Sequence, residues 1–287
     1  MSSHHRLVIA RRWLLVSTCL LPFLAQPVAG ASLLLVTVGE VTDNTAVVWG
    51  RGFEAGPLTV EARSTGGSAP ITASTRLSLE SDFTGKLLLA NLQPATRYTY
   101  SLRHGKVEVS GTFMTAPSAK GTRRVRFLWS GDLGGRGHCR HVRDGYKIFR
   151  SMATFKPDFF LFVGDTIYAD HRCGGTEVVP GYDFVATSLE EFRAKHRYNR
   201  ADPHVQDFFR TTSTYAIWDD HEVRNDFAGP TEPLTASGLQ AFIDYWPLRP
   251  PEEEPRRLYR KARWGKLAEL SAFRSEERRV GKECRSR

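Results

Sequence analysis

Residues 157–165 read PDFFLFVGD, and residues 213–222 read STYAIWDDHE. In the first, five apolar residues (Phe159 to Val163) run unbroken between a polar start and Gly164-Asp165. So short a run without alternation is the pattern of a strand covered on both faces, as in a parallel sheet, rather than a half-solvated antiparallel strand. The second has the same form and ends in Asp219, Asp220, His221 and Glu222. A third run, VRFLWSGD (125–132), reads as another buried strand and ends in Asp132. Between and after these lie helical patterns: GYKIFRSMATF (145–155), SLEEFRAKHRYNR (188–200) and ASGLQAFIDYW (236–246), the last stopped by Pro247. The second opens with a capping box, Ser188 and Glu191. Strands alternating with helices imply a parallel α/β sheet.

In such a sheet the carboxyl ends of the strands share one edge, where ligands bind. Asp132, Asp165, Asp219 and Asp220 are therefore expected to converge. One acid at a strand end is an ordinary helix cap; three such ends favour a cation site, because crowded carboxylates repel one another. Tyr168, three residues after Asp165, is placed to join it as a ligand. Oxygen donors of this kind suit magnesium, calcium, manganese or ferric iron. Two such ions would clamp a phosphoryl group in transfer. His221, set among acids, is expected to serve as an acid or to stabilise developing negative charge. The glycines of DLGGRGHCR (132–140) allow close approach to a ligand, and Arg136 and Arg140 are cations of the kind that attract a phosphate, but a glycine-rich turn is more often only a loop and neither is assigned to substrate.

Before this unit, residues 32–117 form short runs rich in Val, Thr, Tyr and Leu, punctuated by Gly, Pro, Asn and Asp. They read as a small antiparallel sandwich of six or seven strands. LQPATRYTYSLR followed by GTFMTAP resembles a fibronectin type III module. The α/β unit is read as 122–273.

Residues 1–31 read as a secretory signal: a basic start, the apolar WLLVSTCLLPFLA, and a small-residue cleavage site at Ala29–Ala31. The apolar stretch is too short for a stable membrane span. The pair Arg11-Arg12 resembles a twin-arginine signal, so an exported protein, periplasmic or extracellular, is expected. Residues 274–287, RSEERRVGKECRSR, are identical to the translation of a common sequencing adapter in one frame, and they are kept out of the fold reading. The natural chain is then expected to continue past Phe273. Of 287 residues, 41% are apolar and 25% charged, the make-up of a globular protein. The formal charge of +9 shrinks on inspection. Residues 1–31 carry three arginines and no acid, and residues 274–287 carry six basic and three acidic residues, leaving +3 over 32–273. A nucleic-acid partner is not expected. Of the four cysteines, only Cys139 and Cys173 lie in 32–273, and in an exported protein a disulfide between them is expected.

The motifs SGDLGG, LFVGDTIYAD, IWDDHEVRND, AFIDYWPLRP and YRKARWGKLAEL, in that order, are together similar to the alkaline phosphatase D (PhoD-like) family of metallophosphoesterases. GDxxY alone is shared with purple acid phosphatases, which carry Asn where this chain has Asp220. The resemblance implies a metallophosphoesterase-type α/β sandwich hydrolysing phosphate monoesters or diesters of small molecules with iron(III) and calcium. Asp165 would bridge the metals, Tyr168 would bind iron, Asp220 the calcium side, and His221 would be the catalytic acid or the oxyanion stabiliser. Known members carry Cys at the first strand end; Asp132 stands there in this chain, a harder ligand that admits other divalent metals. The family also supplies ligands after WGxLxEL, including a late GD-x-H motif that these residues lack. The polypeptide as written is therefore expected to hold an incomplete sandwich and to be inactive. A purple-acid-phosphatase-like enzyme, or an exported binding protein with no catalysis, is the alternative.

Overall fold

The computed structural model describes residues 33–272, apart from Ser68, Arg136, Gly137 and Ala228. The signal and adapter readings, of 1–31 and 274–287, lie outside the described residues. Seven strands come first: β1 (Leu35–Gly39), β2 (Ala46–Arg51), β3 (Gly56–Ser64), β4 (Ile71–Leu77), β5 (Thr84–Leu89), β6 (Arg97–His104) and β7 (Val107–Met114). Then follow β8 (Phe127–Ser130), α1 (Lys147–Ala153), β9 (Phe159–Val163), α2 (Leu189–Arg200), α3 (Pro203–Phe209), β10 (Ser213–Ile217) and α4 (Thr235–Tyr245). A hairpin, β11 (Arg260–Trp264) and β12 (Ala268–Ala272), closes the described chain.

A four-stranded antiparallel sheet, β4-β3-β6-β7, faces β5-β2-β1 across a core that includes Val36, Val48, Leu58, Val60, Tyr100 and Phe113. Strand β3 alternates buried and exposed along its length, as a strand with one wet face should. Strands β1 and β2 do not alternate. Both are buried on two faces: Val36 and Val48 line the sandwich core, while Leu35 and Trp49 pack on the other face against Tyr245 of α4. Strand β1 also pairs in parallel with β10, at Gly39 opposite Thr214. The result is a single six-stranded sheet, β5-β2-β1-β10-β9-β8. A Cβ at Gly39 would lie 2.2 Å from the Thr214 carbonyl oxygen, so the junction requires glycine. The strands of the first module and those of the α/β unit thus share a sheet.

Strands β8, β9 and β10 run parallel, with Leu128, Phe160 and Thr214 side by side. On one face, α1, α3 and α4 pack Phe149, Phe208, Phe242 and Trp246 against Phe160 and Phe162. Full burial of each such side chain contributes about 1.5–3 kcal/mol. On the other face the hairpin sets Trp264 against Phe159 and Tyr215. One expectation is corrected here. β8 is not a buried strand but the edge of the sheet, with Phe127 and Trp129 exposed.

Helix α2 begins with the capping box read from the sequence, Ser188 and Glu191 each bonding the other's backbone. Its buried face is polar. Arg193 pairs with Asp244, and Arg200 lies between the rings of Trp49 and Trp246. His196 is fully buried, stacked on Tyr245 at 5.2 Å, and its Nε2 has no partner. Burial, helped by the charge of Arg200, pushes this imidazole well below its usual range. Its folded pKa is depressed, so below about pH 6.5 the unfolded chain takes up a proton that the fold refuses. Stability is expected to be intact above that pH and to fall as pH drops through it, by about 1.4 kcal/mol per unit from this group. Urea denaturation at pH 7.5 and 5.5 should show the loss, and His196→Leu should remove most of the difference.

Candidate metal centre

Each of the three parallel strands ends in a sharp turn. Asp132 and Asp165 both adopt positive φ, 61° and 51°, a costly conformation for which Asp is among the more tolerant residues. The two turns are zipped together: Asp132 N donates to Gly164 O at 3.3 Å and Leu133 N to Asp165 O at 2.8 Å. Gly164, at φ 110°, lies against the third turn, since a Cβ there would fall 2.6 Å from that of Asp219. Close packing of strand ends thus brings the acids together.

The side chains converge as well. Tyr168 Oη donates to Asp132 Oδ1 at 2.8 Å. Its ring stacks on His221 with 4.1 Å between centroids. Gly135 leaves room for that ring, since a Cβ there would come within 2.2 Å of it. The His221 amide donates to Asp165 Oδ1 at 3.3 Å. Donor atoms of Asp165, Asp220 and His221 all lie within 4.8 Å of one another. Asp132, Asp165, Tyr168, Asp220 and His221 are therefore neighbours in space. Burial, with the charges of Asp220 and Asp219, pushes Asp165 up to about 6, against the pull of His221. Burial and the bond to Asp132 likewise raise the Tyr168 phenol.

Glu222 behaves otherwise. The last acid of DDHE, it turns inward and is fully buried. Its carboxylate accepts from the amides of Thr166 at 2.5 Å, Asp165 at 3.2 Å and Asp219 at 2.9 Å, and from the Thr166 hydroxyl at 2.7 Å. Burial and the charge of Asp165 push it up to about 8, while these donors act the other way. It fastens the second strand end to the third.

Asp170 was missed, though it stands two residues after Tyr168. Its Oδ1 accepts from the Nδ1 atoms of both His221 (2.8 Å) and His171 (2.9 Å), and its Oδ2 from the Asn225 amide. Burial alone would raise it, but the bonds from His221, Asn225 and His171 outweigh that and hold the carboxyl well below the usual range. Burial works against a charged His221 ring as well. The bond to Asp170 and the charges of Asp170, Asp165 and Asp220 prevail and raise it. Asp170, His171 and His221 also cluster closely, but hydrogen bonds already account for that grouping.

Cys139 and Cys173 form a disulfide, with Cα atoms 5.8 Å apart, joining the loop after β8 to the loop after Tyr168. Arg140 is committed to Asp202 and to the carbonyls of Tyr198 and Ala201, which leaves it engaged in the fold rather than offered to a phosphate. Arg136 and Gly137 lie outside the described residues.

Three parallel strands thus bring acids, a tyrosine and a histidine to one sheet edge, a donor set that could hold a cation. Residues 137–283, half of the chain, match the model of the PhoD-like phosphatases, and the chain belongs to that family. It is 27% identical over 162 residues to alkaline phosphatase D of Bacillus subtilis (strain 168), a match covering 49% of this chain and 27% of the relative. The structure described as "Structure of PhoD" superposes with a TM-score of 0.71 at 20% identity, over 83% of this chain and 50% of that one, which shows a common fold. The chain thus spans about a quarter of the curated relative and half of the solved one.

Proposed function

We propose that this chain is part of an exported, metal-dependent hydrolase of phosphate monoesters or diesters, carried through the twin-arginine route to the periplasm or beyond. The observation that supports this most is the meeting of Asp165, Asp220 and His221 within 4.8 Å, beside the Asp132–Tyr168 bond. The donors fit hard cations. They are carboxylate and phenol oxygens, crowded enough that burial and mutual repulsion raise Asp165, and a bound cation would relieve that. Asp165 would serve two ions, Tyr168 and Asp132 one of them, and Asp220 the other. Iron(III) and calcium are the family-based assignment.

Bound cations would supply Lewis acidity toward the phosphoryl group. The protein's own part falls to His221. With Nδ1 held by Asp170, the ring is fixed face to face with Tyr168, and Nε2 is the nitrogen left to give a proton to the departing alkoxide. The β1–β7 module, proposed as fibronectin type III-like, braces the sheet edge-on.

The test is calorimetric titration of the purified chain with Mn²⁺ and Ca²⁺ after chelation. Saturable binding at one or two sites is expected, and absence of binding would sink the reading. No hydrolysis of nitrophenyl phosphate is expected from 32–273 alone, in keeping with its share of the solved relative. Turnover by it would refute that part of the proposal.

A further inference from the structure

Lys195 lies on the inner face of α2 with 0% of its surface exposed. Buried lysines are rare without a charged partner. Among the described residues no carboxylate lies within ion-pair distance of this one. Its Nζ instead donates to three backbone carbonyls: His171 at 2.7 Å, Tyr182 at 3.0 Å and Phe184 at 2.5 Å. Burial lowers this amine to about 7, yet three carbonyl acceptors match the three protons of the charged form. The nitrogen also sits 3.6 Å and 4.4 Å from the ring centroids of Tyr182 and Phe184, where a cation is attracted to the ring faces.

All three carbonyls belong to the loop that leaves Tyr168, bears His171 and returns at Ala186. The rest of that loop is fastened to the same point. Tyr182 Oη accepts from the Tyr168 amide at 2.9 Å and donates back to the Tyr168 carbonyl at 3.3 Å. Ala186 N donates to Ala169 O at 2.8 Å. One turn further along α2, Asn199 Nδ2 donates to Thr166 O at 3.0 Å. Residues four apart lie on one helix face, so α2 presents Lys195 and Asn199 side by side to the loops after β9.

We propose that Lys195 is a positioning residue for the metal centre: its ammonium clamps the loop 168–186, and through it fixes the phenol of Tyr168 against Asp132 and the imidazole of His171 against Asp170 and His221. This rests on the reading of Tyr168 as part of that centre. The clamp is internal to the loop and the helix.

The full chain carrying Lys195→Met tests it by two readouts. Hydrogen exchange in 168–186 should speed by about 10–100-fold while the strands β3 and β6 keep wild-type protection. Mn²⁺ affinity should fall by about 10–100-fold, as when an outer partner of a metal ligand is lost. Unchanged exchange in the loop would overturn the proposal. So would faster exchange with unchanged Mn²⁺ affinity, since that is the mark of a merely structural residue. If Lys195→Met does not fold, Tyr182→Phe decides, because it keeps Lys195 and removes only the hydroxyl that joins its loop to Tyr168. Faster exchange at the Tyr168 amide with weaker Mn²⁺ binding then supports the clamp, and wild-type values for both overturn it. A wild-type chain that binds no Mn²⁺ overturns the metal reading, and the role at the metal centre with it.

Discussion

Asp165→Ala is expected to abolish cation binding at the strand ends, with a loss beyond the 10–100-fold typical of outer partners. Asp165 is the residue around which the other groups gather. It leaves β9 at positive φ, accepts from the His221 amide and shares the 4.8 Å cluster with Asp220. The fold itself should tolerate the change. Relief of repulsion among crowded carboxylates is offset by the left-handed φ, which Ala tolerates less well than Asp, and by the acceptor lost to the His221 amide, so the metal-free variant should stay folded and melt near or slightly below the wild-type temperature. Excess Mn²⁺ should then raise the wild-type melting temperature and leave the variant's unmoved, because only the state that binds is stabilised. A variant that still gains stability from Mn²⁺ would place the ion elsewhere.

Glu222→Ala is expected to do the reverse, damaging the fold first. Two buried amides (Asp165 and Thr166), the part-buried Asp219 amide and the buried Thr166 hydroxyl lose their acceptor at once. A buried donor left unsatisfied costs about 1–3 kcal/mol, so a loss of at least about 3 kcal/mol is expected in urea denaturation. Glu222→Gln should fall between, because its amide group turns one acceptor into a donor facing another donor. A loss below about 1 kcal/mol for the alanine variant would mean that water or backbone shifts replace the carboxylate, and that the second and third strand ends do not depend on it.

How much of this was legible in the sequence depends on the kind of signal. The runs FFLFV and STYAI, each closed by acids, announced β9, β10 and the shared edge, because hydrophobic burial and a strand's polar terminus both leave local marks. The Ser188 capping box was legible for the same reason. Side-chain partners distant in sequence were not. Glu222 looked like one more acid of DDHE, and only its inward rotamer, toward the amides of the β9 turn, shows that it is an anchor. Asp170 bonds an imidazole that lies on another strand end. Helix α2 reads as a solvated, charged helix, since Arg193, Lys195, His196 and Arg200 are poor core residues by composition. They are buried because carbonyls, rings and Asp244 await them. The edge position of β8 and the sheet shared with β1 are matters of pairing order, which an apolar run does not encode.

The most direct test of the metal centre is anomalous diffraction from crystals of the chain soaked in Mn²⁺. The reading predicts a peak bounded by Asp165, Asp220 and Tyr168, with Asp132 beside it. No peak there, or a peak confined to Asp170 and His171, would contradict it.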